Sequence, residues 1–216
     1  MNIVLFGPPG AGKGTQADNL VKEFNLFKVS TGDLLRNEIQ TDSSLGEKIK
    51  KTIEGGSLVS DQIINNLIEN LVADKKYFNR LIFDGIPRNL NQVKSLEVLL
   101  KKYNQKISCV LSLKVDKKNI LKRILGRQLC SKCGGIFNEF YNPSNKENHE
   151  CGDSFLEKRS DDNERTIENR FKTYHEVTLP ILDYYQNQKI LYEIDGEGDI
   201  SSIYKEISQI IHSLET

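Results

Sequence analysis

The feature that most constrains this chain is a glycine-rich loop close to its N-terminus. The short apolar run Asn2–Phe6 leads directly into Gly7-Pro8-Pro9-Gly10-Ala11-Gly12-Lys13-Gly14-Thr15, and a helical spacing of apolar residues begins immediately afterwards. Because glycines carry no side chains, successive backbone N–H groups can converge on phosphate oxygens. The N-terminus of the following helix adds unpaired amides and a partial positive charge. Strand, loop and helix in this order predict a phosphate-binding cradle.

Two side chains of this loop have expected roles in binding a nucleoside triphosphate. Lys13 would bring a full positive charge to the terminal phosphates, and the hydroxyl group of Thr15 would bind magnesium. The general pattern has Ser or Thr directly after the lysine, whereas Gly14 intervenes here. The structural alternative is a glycine-rich turn with a solvated lysine, and the strand and helix on either side disfavour it.

The charge balance limits the partners expected for this chain. Thirty basic residues offset thirty acidic residues among 216, so net charge gives no electrostatic case for binding a nucleic acid or a membrane. No apolar run approaches the roughly 20 residues that span a bilayer. The four cysteines are too few and too clustered for a secreted disulfide framework, which favours a protein of the reducing cytoplasm. The length fits one domain, with or without insertions.

Strand-like and helix-like segments alternate along most of the chain. Short apolar runs recur at residues 2–6, 26–30, 80–83, 108–115 and 190–195. Helical patterns lie between and after them, at 17–24, 61–71 behind a Ser60-Asp61 cap, 89–103, 117–127, 164–185 with an interruption at Pro180, and 200–214. This alternation predicts an α/β fold: a five-stranded parallel sheet with helices on both faces. Cys109 falls within a strand and is expected to be buried.

Two segments interrupt this alternation and have thin apolar faces. Residues 30–59 predict a small helical insertion that begins with the polar cap Ser30-Thr31-Gly32-Asp33. Residues 126–162 are rich in glycine, asparagine, proline and charge, and contain three of the four cysteines. We therefore expect a core of residues 1–29, 60–125 and 163–216. The two insertions should open easily, since they bury few apolar contacts.

Charged side chains are expected at the carboxyl edge of the sheet, where open parallel sheets bind ligands. Asp84 follows a buried strand and is placed to hold magnesium or its waters, while Arg88 is placed to reach phosphates. An isolated arginine is usually a solvated surface charge. Clustered guanidinium groups instead suit the neutralisation of a phosphoryl group in transfer. Arginines at or near the borders of the insertions are Arg36, Arg123, Arg127, Arg159 and Arg170.

Taken together, these motifs resemble those of the adenylate kinases with a long lid, and the resemblance runs essentially from end to end. The glycine loop has the form used by that family, which accounts for Gly14 before Thr15. Residues 84–88 resemble the family's signature, with Ile86 in place of its usual aromatic residue, and Ser60 stands where the family usually has proline. The resemblance implies the reversible, magnesium-dependent reaction ATP + AMP ⇌ 2 ADP. It implies that residues 30–59 bind AMP and that residues 126–162 form a lid over ATP.

The resemblance also implies roles for individual residues, in a protein expected to be a monomer that binds ATP, AMP and ADP. Gln92 matches the position that reads the adenine of AMP, and Asp161-Asp162-Asn163 also fits the family pattern. Residues expected to act in phosphoryl transfer are Lys13, Asp84, Arg88, Arg123, Arg159 and Arg170. Those expected to contact ATP are Gly10, Ala11, Gly12, Lys13, Gly14, Thr15, Arg123, Arg127 and Gly198. Those expected to contact AMP are Thr31, Arg36, Ser57, Leu58, Val59, Gly85, Ile86, Pro87, Arg88, Gln92, Arg159 and Arg170.

The second insertion carries a spacing of cysteines that is typical of zinc sites. Cys130-x-x-Cys133 is followed after a gap by Cys151. Long-lid relatives often have a second pair, Cys-x-x-Cys or Cys-x-x-Asp, whereas Asn148 stands three residues before Cys151 here.

Two residues are candidates for the fourth zinc ligand. His149 would complete a three-cysteine, one-histidine site, and Asp153 is the alternative. Free thiols in a metal-free insertion are a further possibility, although exposed thiols are prone to oxidation. We expect a structural zinc, separate from the magnesium of the reaction, with the ligands Cys130, Cys133, His149 and Cys151.

The sequence is less compatible with several other functions. A kinase for UMP or CMP is disfavoured by Thr31, where those relatives tend to carry alanine, and by the full-length lid. A kinase for GMP is disfavoured by the family pattern alone. From a different class, a P-loop regulator or a zinc-bearing nucleic-acid module is conceivable. Neutral charge and the lack of a basic, aromatic-interleaved patch disfavour nucleic-acid binding.

Overall fold

A five-stranded sheet in which every neighbouring pair is parallel forms the centre of the molecule. The computed structural model describes residues 1–41 and 43–215. In chain order, the strands are β1 (Ile3–Phe6), β2 (Phe27–Ser30), β3 (Leu81–Asp84), β4 (Cys109–Lys114), β5 (Arg127–Cys130), β6 (Ile136–Asn138), β7 (Leu156–Glu157) and β8 (Leu191–Asp195). The α-helices are α1 (Lys13–Phe24), α2 (Thr31–Ile39), α3 (Ser44–Glu54), α4 (Asp61–Ala73), α5 (Leu90–Lys102), α6 (Lys117–Leu125), α7 (Glu164–Thr173), α8 (Ile181–Asn187) and α9 (Ile200–Glu215). The order of the central sheet is β2-β3-β1-β4-β8.

The sheet separates two apolar clusters because successive side chains of a strand point to opposite faces. On one face, Val4 and Phe83 pack with apolar residues of α4, α5 and α8. On the other face, Ile3 and Ile82 pack with α1 and α9. Cys109 is buried in this second cluster, as expected. The predicted five-stranded parallel sheet with helices on both faces is confirmed.

The strand register determines which residues meet at the carboxyl edge. Asp84, the last residue of β3, is paired with Leu5 of β1 on one side and with Ser30 of β2 on the other. The glycine loop begins immediately after β1, so it starts beside Asp84. The ends of three adjacent strands thereby bring together segments that are distant in sequence.

The first insertion forms the helices α2 and α3. Ser30 caps α2, since its hydroxyl group accepts a hydrogen bond from the Asp33 amide at 3.2 Å. The end of α3 is held against α7, where Thr166 Oγ1 donates to the Glu54 carbonyl at 2.9 Å. Ser60 stands at the N-cap of α4, but its side chain makes no capping hydrogen bond.

The second insertion contains a three-stranded antiparallel sheet of order β6-β5-β7, which we call the 127–157 lobe. Periodicity did not predict these strands, because they have only four, three and two residues and alternate little. Arg127, expected at the end of a helix, instead begins β5.

The long helical pattern near the C-terminus breaks earlier than expected. Helix α7 ends at Thr173, and a π-helical turn, Tyr174–Thr178, precedes Pro180 and α8. The last helix, α9, buries Ile203, Ile207 and Ile211 in agreement with the predicted apolar stripe. Among the described residues, no helix combines the length and hydropathy needed to cross a bilayer.

Candidate active site

The glycine loop joins β1 to α1 and closes around the side chain of Lys13. The Lys13 ammonium group donates hydrogen bonds to the carbonyl oxygens of Gly7, at 2.7 Å, and Pro8, at 3.0 Å. Gly10 and Gly12 have φ values of +81° and +94°, which residues with side chains rarely adopt. A Cβ atom at Gly12 would meet nothing within 4 Å, so this turn borders an open cleft. The loop therefore has the shape of an anion cradle with its cation in the centre.

The carboxylate and guanidinium groups predicted at the sheet edge border the same cleft. A Cβ atom placed on Gly14 would lie 3.8 Å from Asp84 Oδ2, so this carboxylate lies beside the first turn of α1. Arg88 lies between β3 and α5, where its Nε donates to the Gly85 carbonyl at 2.8 Å. Thr31 Oγ1 donates to the same carbonyl at 3.0 Å. Asp84, a carboxylate able to hold a cation, and Arg88, a guanidinium group able to hold a phosphate, thus lie at the same edge of the central sheet.

Cationic side chains from separate segments line the cleft, where burial and neighbouring positive charges lower the pKa values of several of them. Burial, reinforced by the charge of Arg170, lowers the pKa of Arg88 to about 10. Burial, reinforced by the charge of Arg127, lowers the pKa of Arg159 to about 10. Burial lowers the pKa of Lys13 to about 8. Such a cluster is stabilised by a polyanion, and a chain of phosphates fits that requirement.

Two adjacent aspartates hold part of this cluster in place. Asp162, whose side chain is 1% exposed, accepts hydrogen bonds from both Nε, at 2.8 Å, and Nη2 of Arg127. Asp161 accepts a hydrogen bond from Arg170 Nη1 at 2.7 Å. In contrast, Nε of Arg159 is buried without a hydrogen-bond partner among the described residues. Arg159 therefore retains a donor that an anionic ligand would satisfy.

Most residues predicted to act on nucleotides border this one cleft. They are Gly10, Ala11, Gly12, Lys13, Gly14, Thr15, Arg36, Ser57, Val59, Asp84, Gly85, Arg88, Arg123, Arg127, Arg159, Arg170 and Gly198. Leu58 and Pro87 line a smaller adjoining cavity instead. Ile86 is 1% exposed and packs in the core. Thr31 and Gln92 also lie outside the lining.

Both polar atoms of the Gln92 side chain are hydrogen-bonded to protein groups. Its side chain is 2% exposed, and its Nε2 donates to Asp61 Oδ1 at 2.8 Å. Its Oε1 accepts a hydrogen bond from the Arg88 amide at 2.7 Å. In this conformation, Gln92 therefore supports the loop that carries Arg88.

Sequence reasoning missed an aromatic ring at the opposite end of the cleft. The Tyr141 ring centroid lies 5.5 Å from Cζ of Arg123, in cation–π geometry. Arg123 also donates from Nη2 to the Gly196 carbonyl at 2.8 Å, and Asn138 Nδ2 donates to the Arg123 carbonyl at 2.7 Å. A ring and a guanidinium plane offer stacking surfaces for a flat base. The available signal was the aromatic pair at residues 140–141 within an otherwise polar insertion.

Four predicted metal ligands come together in the 127–157 lobe. The ligand atoms of Cys130, Cys133, His149 and Cys151 all lie within 4.8 Å of one another. His149 Nε2 is buried without a hydrogen-bond partner among the described residues, and Ser144 Oγ contacts Nδ1 of the same ring at 2.9 Å. A donor set of three sulfurs and an imidazole nitrogen suits tetrahedral zinc, and the otherwise unsatisfied Nε2 fits that role.

The other candidate ligand lies outside this cluster. Asp153 Oδ1 accepts a hydrogen bond from Ser144 Oγ at 2.9 Å. Asn148 closes a local turn, because its Oδ1 accepts from the Asn145 amide at 2.9 Å and its Nδ2 donates to the Pro143 carbonyl at 3.0 Å. Burial tends to raise the pKa of Cys130, but hydrogen bonds from the Cys133 amide and others lower it to about 6. One thiolate is thus favoured within the cluster.

The comparisons with known proteins agree on one family. The family model described as adenylate kinase matches residues 5–190. A curated adenylate kinase of Pelagibacter ubique is 46% identical over 211 residues, which cover 98% of this chain and 99% of that protein. Adenylate kinases of Nitrosococcus oceani and Archaeoglobus fulgidus are 39% and 36% identical, over 99% and 100% of both chains respectively.

Proposed function

The chain belongs to the adenylate kinase family, and we propose that its cleft carries out ATP + AMP ⇌ 2 ADP with the residues described above. As a member of this family, it is a nucleoside monophosphate kinase, a phosphotransferase. The observation that carries the residue assignment is that the glycine loop, Asp84 and the arginine cluster line one cleft. The phosphate of AMP is already an anionic nucleophile, so positioning and charge neutralisation suffice without a general base.

The donor nucleotide is proposed to lie along the glycine loop. The loop amides and Lys13 would hold its phosphates, and Arg123, Arg127 and Gly198 would contact the rest of ATP. Asp84 and Thr15 are the residues that would hold magnesium or its waters, and this is supported by the position of Asp84 Oδ2 beside the start of α1. When bound with ATP, magnesium supplies charge neutralisation between the phosphates.

The acceptor is proposed to lie between the first insertion and the loop after β3. Arg36, Ser57 and Val59 border the cleft from one side and Gly85 and Arg88 from the other. Arg88, Arg159 and Arg170 would neutralise the phosphoryl group in transfer, together with Lys13 and Arg123. Thr31, Leu58, Ile86, Pro87 and Gln92 would then contribute to the AMP site from behind this lining.

The two insertions are proposed to close over the reactants. In this division, residues 30–59 bind AMP, residues 126–162 form the lid, and residues 1–29, 60–125 and 163–216 form the core. Support comes from Ile136 of β6, whose Cδ1 would lie 3.9 Å from a Cβ on Gly14. The 127–157 lobe is therefore folded over the start of α1. Closure excludes water and prevents wasteful hydrolysis of ATP.

The first test of this proposal uses ADP as the sole nucleotide, with magnesium. We expect equal amounts of ATP and AMP to form, whereas a binding module or a switch protein would leave ADP unchanged. Lys13→Met should slow this reaction by roughly a hundredfold or more, because a charge at the transferring phosphates is lost. Lys22→Met, on the exposed part of the same helix, is the matched control and should match the wild type. A normal rate for Lys13→Met would contradict the assignment of the cradle.

The choice of acceptor needs a separate measurement. With ATP as donor, we expect a higher kcat/KM for AMP than for GMP, UMP or CMP at equal concentrations. A preference for a pyrimidine or guanine nucleotide would replace the proposed substrate while leaving the kinase family intact.

We further propose that Cys130, Cys133, His149 and Cys151 hold a structural zinc. The proposal is supported by the convergence of their ligand atoms and by the unpartnered His149 Nε2. Such an ion cross-links a lobe that has only short strands and little apolar core. We also propose that the protein lies in the reducing cytoplasm, which is supported by its four cysteines being free of disulfides. We further propose that it is a monomer. Analytical ultracentrifugation at micromolar concentration would test whether the protein is a monomer.

Metal analysis of chelator-washed protein tests the zinc site directly. We expect one zinc per wild-type chain and a large loss of zinc in His149→Ala. Asp153→Ala is the matched control and should retain the metal, because Asp153 lies outside the cluster. Zinc retained in His149→Ala would make another group the fourth ligand, and absence of zinc from the wild type would refute the site.

A further inference from the structure

The backbone of Arg88 is held at both of its polar groups. Its amide donates to Gln92 Oε1 at 2.7 Å, and its carbonyl oxygen accepts a hydrogen bond from Thr178 Oγ1 at 2.9 Å. Its side chain is held only at Nε, which donates to the Gly85 carbonyl. Nη1 and Nη2 make no hydrogen bond to the described residues. The anchors therefore fix the stem of Arg88 and leave the two terminal nitrogens available to a ligand.

Thr178 reaches Arg88 because of the π-helical turn. The Leu179 amide donates to the Tyr174 carbonyl at 2.8 Å, a bond that spans five residues instead of the usual four. One extra residue is thereby accommodated between α7 and α8. An uninterrupted α-helix would rotate the following residues by about 100° around the axis. The extra residue thus determines which side chain faces Arg88. Thr178 is 6% exposed, so water does not compete freely for its hydroxyl group.

The same helical segment also carries Arg170. Arg88, Arg170 and Thr178 border one small cavity that adjoins the cleft and also contacts Lys13. Burial lowers the pKa of Arg88, and the charge of Arg170 adds to this effect, as expected for two guanidinium groups that border the same small cavity. The segment from α7 through the π-helical turn therefore carries Arg170 itself. Through Thr178, it also holds the backbone of Arg88 by a hydrogen bond.

We propose that Thr178 is a positioning residue for phosphoryl transfer, which acts by fixing the backbone of Arg88 so that Nη1 and Nη2 lie in the cleft. This inference rests on the proposed function, in which Arg88 neutralises the phosphoryl group. Rates of such transfers are sensitive to small displacements of the neutralising groups. Loss of the Thr178 hydroxyl should lower kcat more than it changes the affinity for ATP, because ATP is held mainly by the glycine loop.

The primary test compares Thr178→Val with Thr178→Ser. Valine keeps the shape of threonine but removes the donor, whereas serine keeps the donor. We expect Thr178→Val to lower kcat about tenfold with KM for ATP within about twofold, and Thr178→Ser to restore most of the rate. Ser95→Ala is the control on α5, because the Ser95 hydroxyl group likewise donates to a carbonyl one turn earlier, that of Asn91, and Ser95 borders neither the cleft nor the adjoining cavity. It should show wild-type kcat. A kcat for Thr178→Val equal to that of the wild type would overturn the inference.

A double-mutant cycle separates positioning from simple support of the fold. In the Arg88→Ala background, Thr178→Val should still lower the thermal midpoint, because the carbonyl at position 88 remains. It should cause no further loss of kcat, since the side chain that it positions is gone. Equal fold-losses of kcat in both backgrounds would overturn the inference and assign Thr178 a role independent of Arg88.

The cycle also distinguishes this inference from the proposed function. If Arg88→Ala alone retains the wild-type kcat, the role of Arg88 in transfer is wrong and the inference falls with it. If Arg88→Ala is slow and Thr178→Val is not, only the inference fails.

Discussion

At the scale of single residues, two neighbouring tyrosines of α8 differ in what their hydroxyl groups contact. Tyr185 is fully buried, and its hydroxyl group has no hydrogen-bond partner among the described residues. Tyr184 donates to Glu97 Oε2 at 2.8 Å. Tyr185→Phe should therefore raise the free energy of unfolding by about 1 kcal/mol, because an unsatisfied buried hydroxyl is removed. Tyr184→Phe, the matched control, should lower it by about 1 kcal/mol. Urea denaturation measures the free energy of unfolding of both variants. A Tyr185→Phe variant less stable than the wild type would contradict this prediction.

Lys13 gives the site a pH dependence of defined sign. Its pKa in the free protein is about 8, so the ammonium group loses its proton as the pH rises through that value. A bound polyphosphate favours the charged form and raises this pKa, so affinity falls with rising pH. The Kd of inorganic tripolyphosphate should increase about eightfold between pH 7.5 and pH 9. Lys13→Met should bind more weakly with a much flatter profile, and a flat wild-type profile would contradict the lowered pKa.

The sequence predicts the site residues and their contacts to different degrees. The glycine loop, Asp84 and Arg88 stand out because backbone conformation and charge at a strand end restrict the residue type. Tyr141 was missed, since nothing in the local pattern relates it to Arg123. The side-chain hydrogen bonds of Gln92 were not foreseen either. They depend on Asp61, which follows the first insertion and is brought near only by the fold.

At the scale of elements, the end of α8 carries a residue in a conformation that favours glycine. Lys189 has a φ value of +58° and is exposed. Lys189→Gly should raise the free energy of unfolding by roughly 1 kcal/mol, because the left-handed conformation no longer crowds a Cβ atom. Lys205→Gly, at an exposed position within α9, should lower it by about 1 kcal/mol. Thermal unfolding measures both, and destabilisation by Lys189→Gly would contradict the prediction.

The predictability of an element followed the strength of its hydrophobic pattern. Helix α9 has apolar residues at regular helical spacing and the strands of the central sheet are short apolar runs, so the sequence predicts these elements. The strands of the 127–157 lobe lack such a pattern because little apolar surface is buried there. The sequence predicts an interruption at Pro180 but not the π-helical turn, which occupies Tyr174–Thr178. Its extra residue depends on tertiary contacts such as that between Thr178 and Arg88, which local sequence does not encode.

At the scale of the whole molecule, the first insertion is connected to α7 through the backbone of residues 54–56. Gly56 has a φ value of +74°, and a Cβ atom there would lie 2.9 Å from Asn169 Cβ. Gly56→Ala should push the insertion away from α7 and raise KM for AMP by roughly three- to tenfold, with KM for ATP little changed. A Cβ at Gly55 would meet only ordinary contacts beyond 3.4 Å, so Gly55→Ala is the matched control. If Gly56→Ala changed KM for AMP and KM for ATP equally, a specific role of this contact in binding AMP would be contradicted.

The register of the central sheet limits how the chemistry of this molecule can change. Asp84 faces the cleft because it is paired with Leu5 and Ser30. A slip of β3 by one residue would exchange the two faces of that strand and turn the carboxylate away. The hydrogen bonds that stabilise the core thus also fix the position of the proposed magnesium ligand. New acceptor preferences are therefore expected to arise through the insertions and loops, while the strand ends keep the same reaction.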